Sequence, residues 1–291
     1  MCPHRLARLD SLPRVNRDAG VSMATATVAR GAETEVLSPA SKNEAIAAFG
    51  DGAGVTILAG GTIVVPEITY GYLKPERVLM LGSAGLTGVA RDGSRTTIGA
   101  MTSVQDLVEL AAPLGMCAAN VADREIRAQA TVGGNLCAPV GRDAPRGDLQ
   151  AAFVALDAQV RSAGAGGERT DSVEDFLADR NGRLVLDISF EEPSAGGFAR
   201  LDRPHTHDYS ALTVCVARVA DGTVRIAVAG VNGPAVRLPS GEAKADDPAA
   251  AGKAALSDVT FADDALASAW YRERTLPVLI GRALGDLQED A

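Results

Sequence analysis

The chain reads as a mixed α+β protein in two parts, and three features carry that reading. Compact β-branched runs such as Val55-Thr56-Ile57-Leu58-Ala59 and Leu184-Val185-Leu186-Asp187-Ile188-Ser189-Phe190 alternate with short segments of helical period. Asp-Gly pairs at 92–93 and 221–222 each join two extended runs, a strong local signal for an antiparallel hairpin. The break Glu191-Glu192-Pro193-Ser194-Ala195-Gly196-Gly197 then separates a larger part from a smaller one that closes on a long helix. The predicted organisation is a disordered extension over 1–35, a larger domain over 36–192 in two α/β subdomains (about 36–90 and 91–192), and a C-terminal α+β domain over 193–291.

Taken in order, residues 1–35 carry Arg5, Arg8, Arg14 and Arg17 among Ala, Ser and Thr, with no apolar run of signal or membrane-spanning length. They are expected to lie outside the fold, as an extension or as residues ahead of a start at Met23. A short strand centres on Val36 and Leu37, Ser41 caps a helix running to Phe49, and Gly50-Asp51-Gly52 stops it. The buried strand 55–59 runs into Gly60-Gly61-Thr62, and 77–81 is a second strand. Residues 86–89 and 96–100 pair around the turn at 91–94. Val104, Leu107, Val108 and Ala111 predict a helix ended by Pro113; a second covers 117–124, and 126–130 leads as an extended stretch into Thr131-Val132-Gly133-Gly134-Asn135. Further on come a helix over 149–156, a strand over 159–162, a helix at 173–178 led by Ser172, and strands at 184–190, 198–201, 212–217 and 224–229. The last helix spans 269–287, with Leu276, Leu279, Ile280, Ala283 and Leu287 in an apolar stripe.

The totals exclude several classes. Of 291 residues, 46% are hydrophobic and 22% charged, which is ordinary for a globular chain able to bury a core. A net charge of −9 argues against nucleic acid as a partner. Cys2, Cys117, Cys137 and Cys215 form no C-x-x-C pair, so the chain's own thiols build neither a zinc site nor an iron–sulfur cluster, and a reducing, cytoplasmic setting fits. His205 and His207 stand as His-x-His in a polar loop; without a third ligand the pattern reads as a solvated turn beside Tyr209 rather than a metal pair.

Two glycine turns, Ala59-Gly60-Gly61-Thr62 and Thr131-Val132-Gly133-Gly134-Asn135, draw the functional reading. Glycine reaches φ > 0 without steric cost and lets backbone N–H groups converge on an anion, so two turns, each leaving N–H groups uncovered and each with a hydrogen-bonding side chain (Thr62, Asn135), suit a diphosphate. Singly, each is a structural turn; together they are a candidate cradle. Neither fits the Gly-x-Gly-x-x-Gly or Gly-Lys-Ser/Thr patterns, and no nucleophile with its histidine and acid is in evidence.

The order Ala59-Gly60-Gly61-Thr62, Thr97-Ile98-Gly99-Ala100-Met101-Thr102, Ile126-Arg127, Thr131-Val132-Gly133-Gly134-Asn135-Leu136 and Gly147-Asp148-Leu149 resembles the FAD-binding medium subunit of molybdenum hydroxylases, the family of carbon monoxide dehydrogenase, xanthine dehydrogenase and aldehyde oxidoreductase. The similarity runs from about Val36 to the closing helix with Trp270-Tyr271-Arg272. It implies a vanillyl-alcohol oxidase (PCMH)-type FAD-binding domain followed by a smaller α+β domain. It further implies that Ala59, Gly60, Gly61, Thr62, Ile63, Thr131, Gly133, Gly134 and Asn135 bind the FAD diphosphate. By the same resemblance Thr102 lies near the cofactor, Asp148 lies toward its ribose or adenine end, and Arg200 and Tyr209 approach it from the second domain. No catalytic residue and no metal fall on this chain. [2Fe-2S] clusters and a molybdopterin cofactor are implied on a small and a large partner subunit, in a dimer of heterotrimers serving an external acceptor such as NAD or a quinone. The pattern departs at Gln129, where relatives often carry a basic residue. A self-sufficient FAD-dependent reductase or oxidase of the same fold is the alternative, and needs its own acid and substrate-binding residues around the flavin.

Overall fold

The computed structural model describes residues 34–139, 147–202 and 209–289. The extension expected over 1–33 and the pair His205 and His207 lie outside the described residues. Residues 34 and 35 do not belong to an extension, because strand β1 (Glu35–Leu37) begins there and Arg77 pairs with Glu35 at 2.9 Å.

After β1 come α1 (Lys42–Phe49), β2 (Val55–Leu58), α2 (Val64–Thr69) and β3 (Arg77–Met80), and the three strands form a parallel sheet ordered β1-β3-β2. Ser41 caps α1 by accepting from the Glu44 N–H. Helix α2 was not foreseen, because Pro66 falls in the stretch. Pro66 is the third residue of that helix, a position whose N–H has no intrahelical acceptor, so the ring costs it no hydrogen bond.

The hairpin β4 (Val89–Asp92) and β5 (Arg95–Gly99) turns at Gly93-Ser94, which shifts the first strand three residues beyond the predicted 86–89. A 3₁₀ turn (Val104–Leu107) replaces the longer helix expected there. The helix predicted over 117–124 is instead two short ones, α3 (Leu114–Ala119) and α4 (Arg124–Gln129). Asp123 caps the latter at Ile126 and starts a helix where an extended approach to the second glycine pair was expected. That pair falls inside α5 (Val132–Leu136), followed by α6 (Gln150–Ala155).

Strands β6 (Gln159–Gly164) and β7 (Gly167–Ser172), helix α7 (Val173–Ala178) and strand β8 (Arg183–Glu191) complete a five-stranded antiparallel sheet, β4-β5-β8-β6-β7. Strand β7 is a polar edge strand without apolar alternation, which is why sequence periodicity does not reveal it. The third sheet, β12-β11-β10-β9, is antiparallel and consists of β9 (Ala195–Leu201), β10 (Leu212–Arg218), β11 (Val224–Ala229) and β12 (Val236–Arg237). Helices α8 (Pro239–Glu242), α9 (Pro248–Ala254) and α10 (Ala269–Glu289) follow.

Every residue of α6 is buried, and Phe153 shares one core with Ile188 of the second sheet and with Cys215 and Ala227 of the third. The Gln150 amide satisfies both sides, donating to the Leu136 carbonyl at 2.9 Å and accepting from the Ala235 N–H at 3.2 Å. Helix α10 covers the third sheet through its predicted stripe of Leu276, Leu279, Ile280, Ala283 and Leu287. Its first turn is anchored by Arg272, 1% exposed, which donates to the carbonyls of Ala211, Ala262 and Ala267 and to Asp264. Burial depresses this guanidinium's pKa, yet its donors have acceptors. Replacing Arg272 by Met leaves the buried Ala211 carbonyl without its donor and removes the guanidinium that pairs with Asp264, so Arg272→Met is expected to lower unfolding free energy by about 3 kcal/mol in urea; a loss below about 1 kcal/mol would refute this anchoring role.

Candidate functional site

Strand β2 ends at Leu58, whose carbonyl accepts from the Leu81 N–H at 3.1 Å, and the chain then leaves the sheet through Ala59-Gly60-Gly61-Thr62-Ile63 into α2. Gly61 sits at φ +75°, where a β-carbon is strained. Ile63 occupies the cap position of α2 and has no side-chain oxygen to offer. As a result the N–H groups of Gly60, Gly61, Thr62 and Ile63 have no protein acceptor among the described residues. Four donors in succession on one turn are what an anion can recruit.

Gly60 serves a different purpose: a β-carbon there would overlap the Gln129 carbonyl and come within 3.1 Å of the Ala130 Cα. The first turn therefore lies backbone to backbone against the segment that enters α5.

The second glycine pair is not a second open turn. Val132 N–H donates to the Thr102 carbonyl at 3.0 Å, Gly133 N–H to the Ala100 carbonyl at 2.8 Å, and Asn135 N–H to the Thr131 carbonyl at 2.8 Å. Thr131 Oγ1 caps the Gly134 N–H at 3.2 Å. The expectation that this turn leaves its N–H groups uncovered is thus corrected, because the donors of this capped helix start are taken by the Thr131 cap and by the Thr102 and Ala100 carbonyls just beyond β5. Its glycines act through shape: a β-carbon on Gly133 would press on Ala100 at 3.0 Å, and one on Gly134 would meet Thr131 Oγ1 at 2.9 Å.

Between the two segments lies a cavity of about 440 Å³. Of the residues singled out from sequence, Ala59, Gly60, Gly61, Thr62, Ile63, Thr131, Gly133, Gly134, Asn135, Asp148 and Tyr209 line it. Asn135 ties its wall together, its Oδ1 accepting from the Leu149 N–H at 2.9 Å and its Nδ2 reaching Asp148 at 3.5 Å. The Cys117 thiol donates to the Asp148 carbonyl at 3.2 Å. Burial first, and the nearby Asp148 second, raise the Tyr209 pKa above its usual value, so the phenol is neutral at physiological pH.

Thr102 and Arg200 are not in the lining. Thr102 is 1% exposed and its hydroxyl is held by Gly88, accepting from the N–H at 2.9 Å and donating to the carbonyl at 3.0 Å. Arg200 donates to the Asn120 carbonyl at 2.7 Å and pairs with Asp202 at 2.8 Å, so it stands behind the wall. Sequence reasoning missed the wall segment 120–122, the residues Cys137, Ala138 and Pro139, and Leu184 and Val185. These are apolar or backbone contributions with no motif; only the position of Cys137, two residues past Asn135, offered a hint.

The profile described as the FAD binding domain in molybdopterin dehydrogenase matches residues 32–190. The chain is 28% identical over 278 residues to the carbon monoxide dehydrogenase medium chain of Hydrogenophaga pseudoflava, covering 86% of this chain and 95% of that one. It is 26% identical over 277 residues to the nicotine 6-hydroxylase medium subunit of Paenarthrobacter nicotinovorans, covering 85% and 94% respectively. A solved structure of the Hydrogenophaga pseudoflava carbon monoxide dehydrogenase, lacking the Mo-pyranopterin moiety, superposes with a TM-score of 0.77 at 26% identity, over 89% of this chain and 98% of that one.

Cys137 lines the cavity and burial pushes its thiol up to about 11, against a smaller opposing effect of the Arg180 charge. Its alkylation by iodoacetamide, followed by peptide mapping, is expected to be slow at pH 8, to accelerate toward pH 11, and to be suppressed by a ligand that fills the cavity. Equal labelling of the filled and empty protein would remove Cys137 from the lining.

Proposed function

The chain belongs to the family of FAD-binding domains of molybdopterin dehydrogenases, and on that premise we propose that it is the electron-transfer flavoprotein subunit of a heteromeric molybdenum-containing hydroxylase or dehydrogenase. The observation that carries the reading is the run of four unpartnered N–H groups, Gly60 to Ile63, at the edge of a cavity walled by the second glycine segment. These residues fit an FAD diphosphate: four donors in succession, a glycine at φ +75° that leaves the approach clear, and no carboxylate on the turn itself. When bound, FAD supplies the ability to accept electrons singly and release them to a different acceptor.

The chain's own residues hold and shield. The first turn binds the diphosphate, while Asn135 orients the Gly147–Leu149 segment so that Asp148 faces the ribose or adenine end. Neutral Tyr209 offers a ring face without adding charge. Among the described residues that line the cavity the titratable side chains are Cys137, Asp148, Arg183 and Tyr209. Cys137 and Tyr209 are held protonated, and the Arg183 guanidinium is spent on Ser162 and on the Ala165 and Gly167 carbonyls. Such a set is poor in acid–base catalysis and suits electron transfer better than the self-sufficient reductase or oxidase.

In this reading residues 36–192 form the FAD-binding domain and 193–291 the C-terminal domain. In such an assembly [2Fe-2S] clusters on a small partner and a molybdopterin cofactor on a large one would supply the electrons, and an external acceptor such as NAD or a quinone would receive them. The assembly is a cytoplasmic dimer of heterotrimers. Medium subunits of carbon monoxide dehydrogenase and nicotine 6-hydroxylase as relatives support a multi-subunit setting. Among the described residues no helix is long and apolar enough to cross a membrane.

Purification from native cells with co-purifying chains retained tests the assembly: flavin absorbance together with iron and molybdenum in one fraction is the expected result, and a lone colourless chain that takes up no FAD refutes the reading. For the diphosphate site, Gly61→Val places a β-branched residue at φ +75° and crowds Val65 at 3.0 Å. It is expected to weaken FAD binding by at least about 30-fold, as followed by flavin fluorescence, while unfolding free energy falls by only about 1–2 kcal/mol. Full FAD occupancy in this variant would mean that the diphosphate lies elsewhere.

A further inference from the structure

The segment Asn120-Val121-Ala122, between α3 and α4, forms one side of the cavity and corresponds to no motif in the chain. Most of its polar groups have protein partners. The Asn120 and Val121 N–H groups donate to the Cys117 and Ala118 carbonyls at 3.1 Å each, and the Asn120 side chain folds back to the Met116 carbonyl at 2.7 Å. The three carbonyls are taken by two arginines from separate elements. Arg127 of α4 donates through Nη1 to Val121 O at 2.9 Å and to Ala122 O at 3.1 Å, with its Nε on Gln105 at 3.1 Å. Arg200 of β9 donates through Nη1 to Asn120 O at 2.7 Å.

With its carbonyls occupied in this way, the segment and α4 with its C-cap bring Val121, Ala122, Ile126 and Ala130 to the cavity lining. Ala122 sits at φ +38°, a conformation that a non-glycine residue keeps only when its surroundings enforce it, and Arg127 supplies that enforcement. An apolar stretch of this kind, in the same cavity as an anion-binding turn, suits a planar aromatic ring of a dinucleotide.

We propose that Arg127 and Arg200 are positioning residues for the cofactor: gripping one wall segment from two separate elements, they hold the apolar surface on which a ring of FAD rests, though neither lines the cavity. The proposal rests on the FAD reading. It explains why an arginine of the C-terminal part matters to a cavity it does not reach. It also implies that the two guanidiniums act as one device, since either grip alone leaves the segment free to pivot.

The experiment is a double-mutant cycle on FAD affinity, using the full chain. Arg127→Met and Arg200→Met are each expected to weaken FAD by about tenfold, or ~1.4 kcal/mol. The double variant is expected to lose little more than either, because both act on the same segment. Two independent structural sites would instead give an additive loss of about a hundredfold, and that result, or unchanged affinity in both single variants, overturns the proposal.

Urea unfolding of the apo proteins separates wall movement from global unfolding. If Arg127→Met does not fold, the lysine variants are read instead: Arg200→Lys, with one carbonyl to meet, should retain affinity, whereas Arg127→Lys, with two carbonyls and Gln105 to meet, should not. Equal retention in both would overturn the assignment. Titration with FMN beside FAD identifies the ring, since a wall against the flavin ring weakens both and shifts the visible bands, while a wall against adenine weakens FAD alone. A wild-type chain that binds no flavin would refute the functional reading itself, whereas intact wild-type binding with indifferent arginine variants refutes only this inference.

Discussion

The backbone contact between Gly60 and the Gln129 carbonyl is the constraint on which the cavity depends. Any β-carbon at Gly60 would push the first turn away from the segment that enters α5. The turn belongs to the parallel sheet, whereas the 129–131 segment is held by Ser103 and Val104, just beyond β5 of the antiparallel sheet. Closing that one contact brings the chain beyond β2 of one sheet against the segment held beyond β5 of the other and joins the two sides of the cavity. Glycine is therefore required by the tertiary structure here, not by local conformation, since Gly60 is not among the residues with positive φ.

The two sides share the work unequally. On the first, four N–H groups remain open because α2 begins at a residue that cannot cap it. On the second, the N–H groups are consumed by Ala100, Thr102 and Thr131, so that side is rigid and contributes surface and the reach of Asn135. A site for a large anionic cofactor gains from this division: one face pays the cost of unsatisfied donors until the ligand arrives, and the other is already organised.

The third sheet contributes through the residues ahead of β10 and through Arg200 of β9. Tyr209 and Ser210 line the cavity just ahead of β10, and Arg200 of β9 grips the opposite wall from behind. The buried core around Phe153 joins the same strands to the rest, so these contributions are presented by a packed scaffold.

Much of this was legible in the chain. The β-branched run 55–58 predicted a strand leading into the first turn, the stripe from Leu276 to Leu287 predicted the closing helix, and the ordered motifs at 59–62, 131–135 and 147–149 contain nine of the residues that line the cavity. Other elements were hidden because local signals misled: Pro66 disguised α2, charged β7 lacked alternation, and Asp123 started a helix inside an apparently extended stretch. Still others had no local signal at all. That Gly133 spends its N–H on Ala100, that Thr102 turns its hydroxyl to Gly88, and that Arg200 stops at Asn120 are facts about partners 14 to 80 residues away in sequence for the side-chain bonds, and 33 for the backbone one. The sequence by itself determined which residues could cradle an anion, since glycine conformation and side-chain chemistry are local properties. Only the tertiary structure decided which of them do, because a donor is free or spent according to what the fold packs against it.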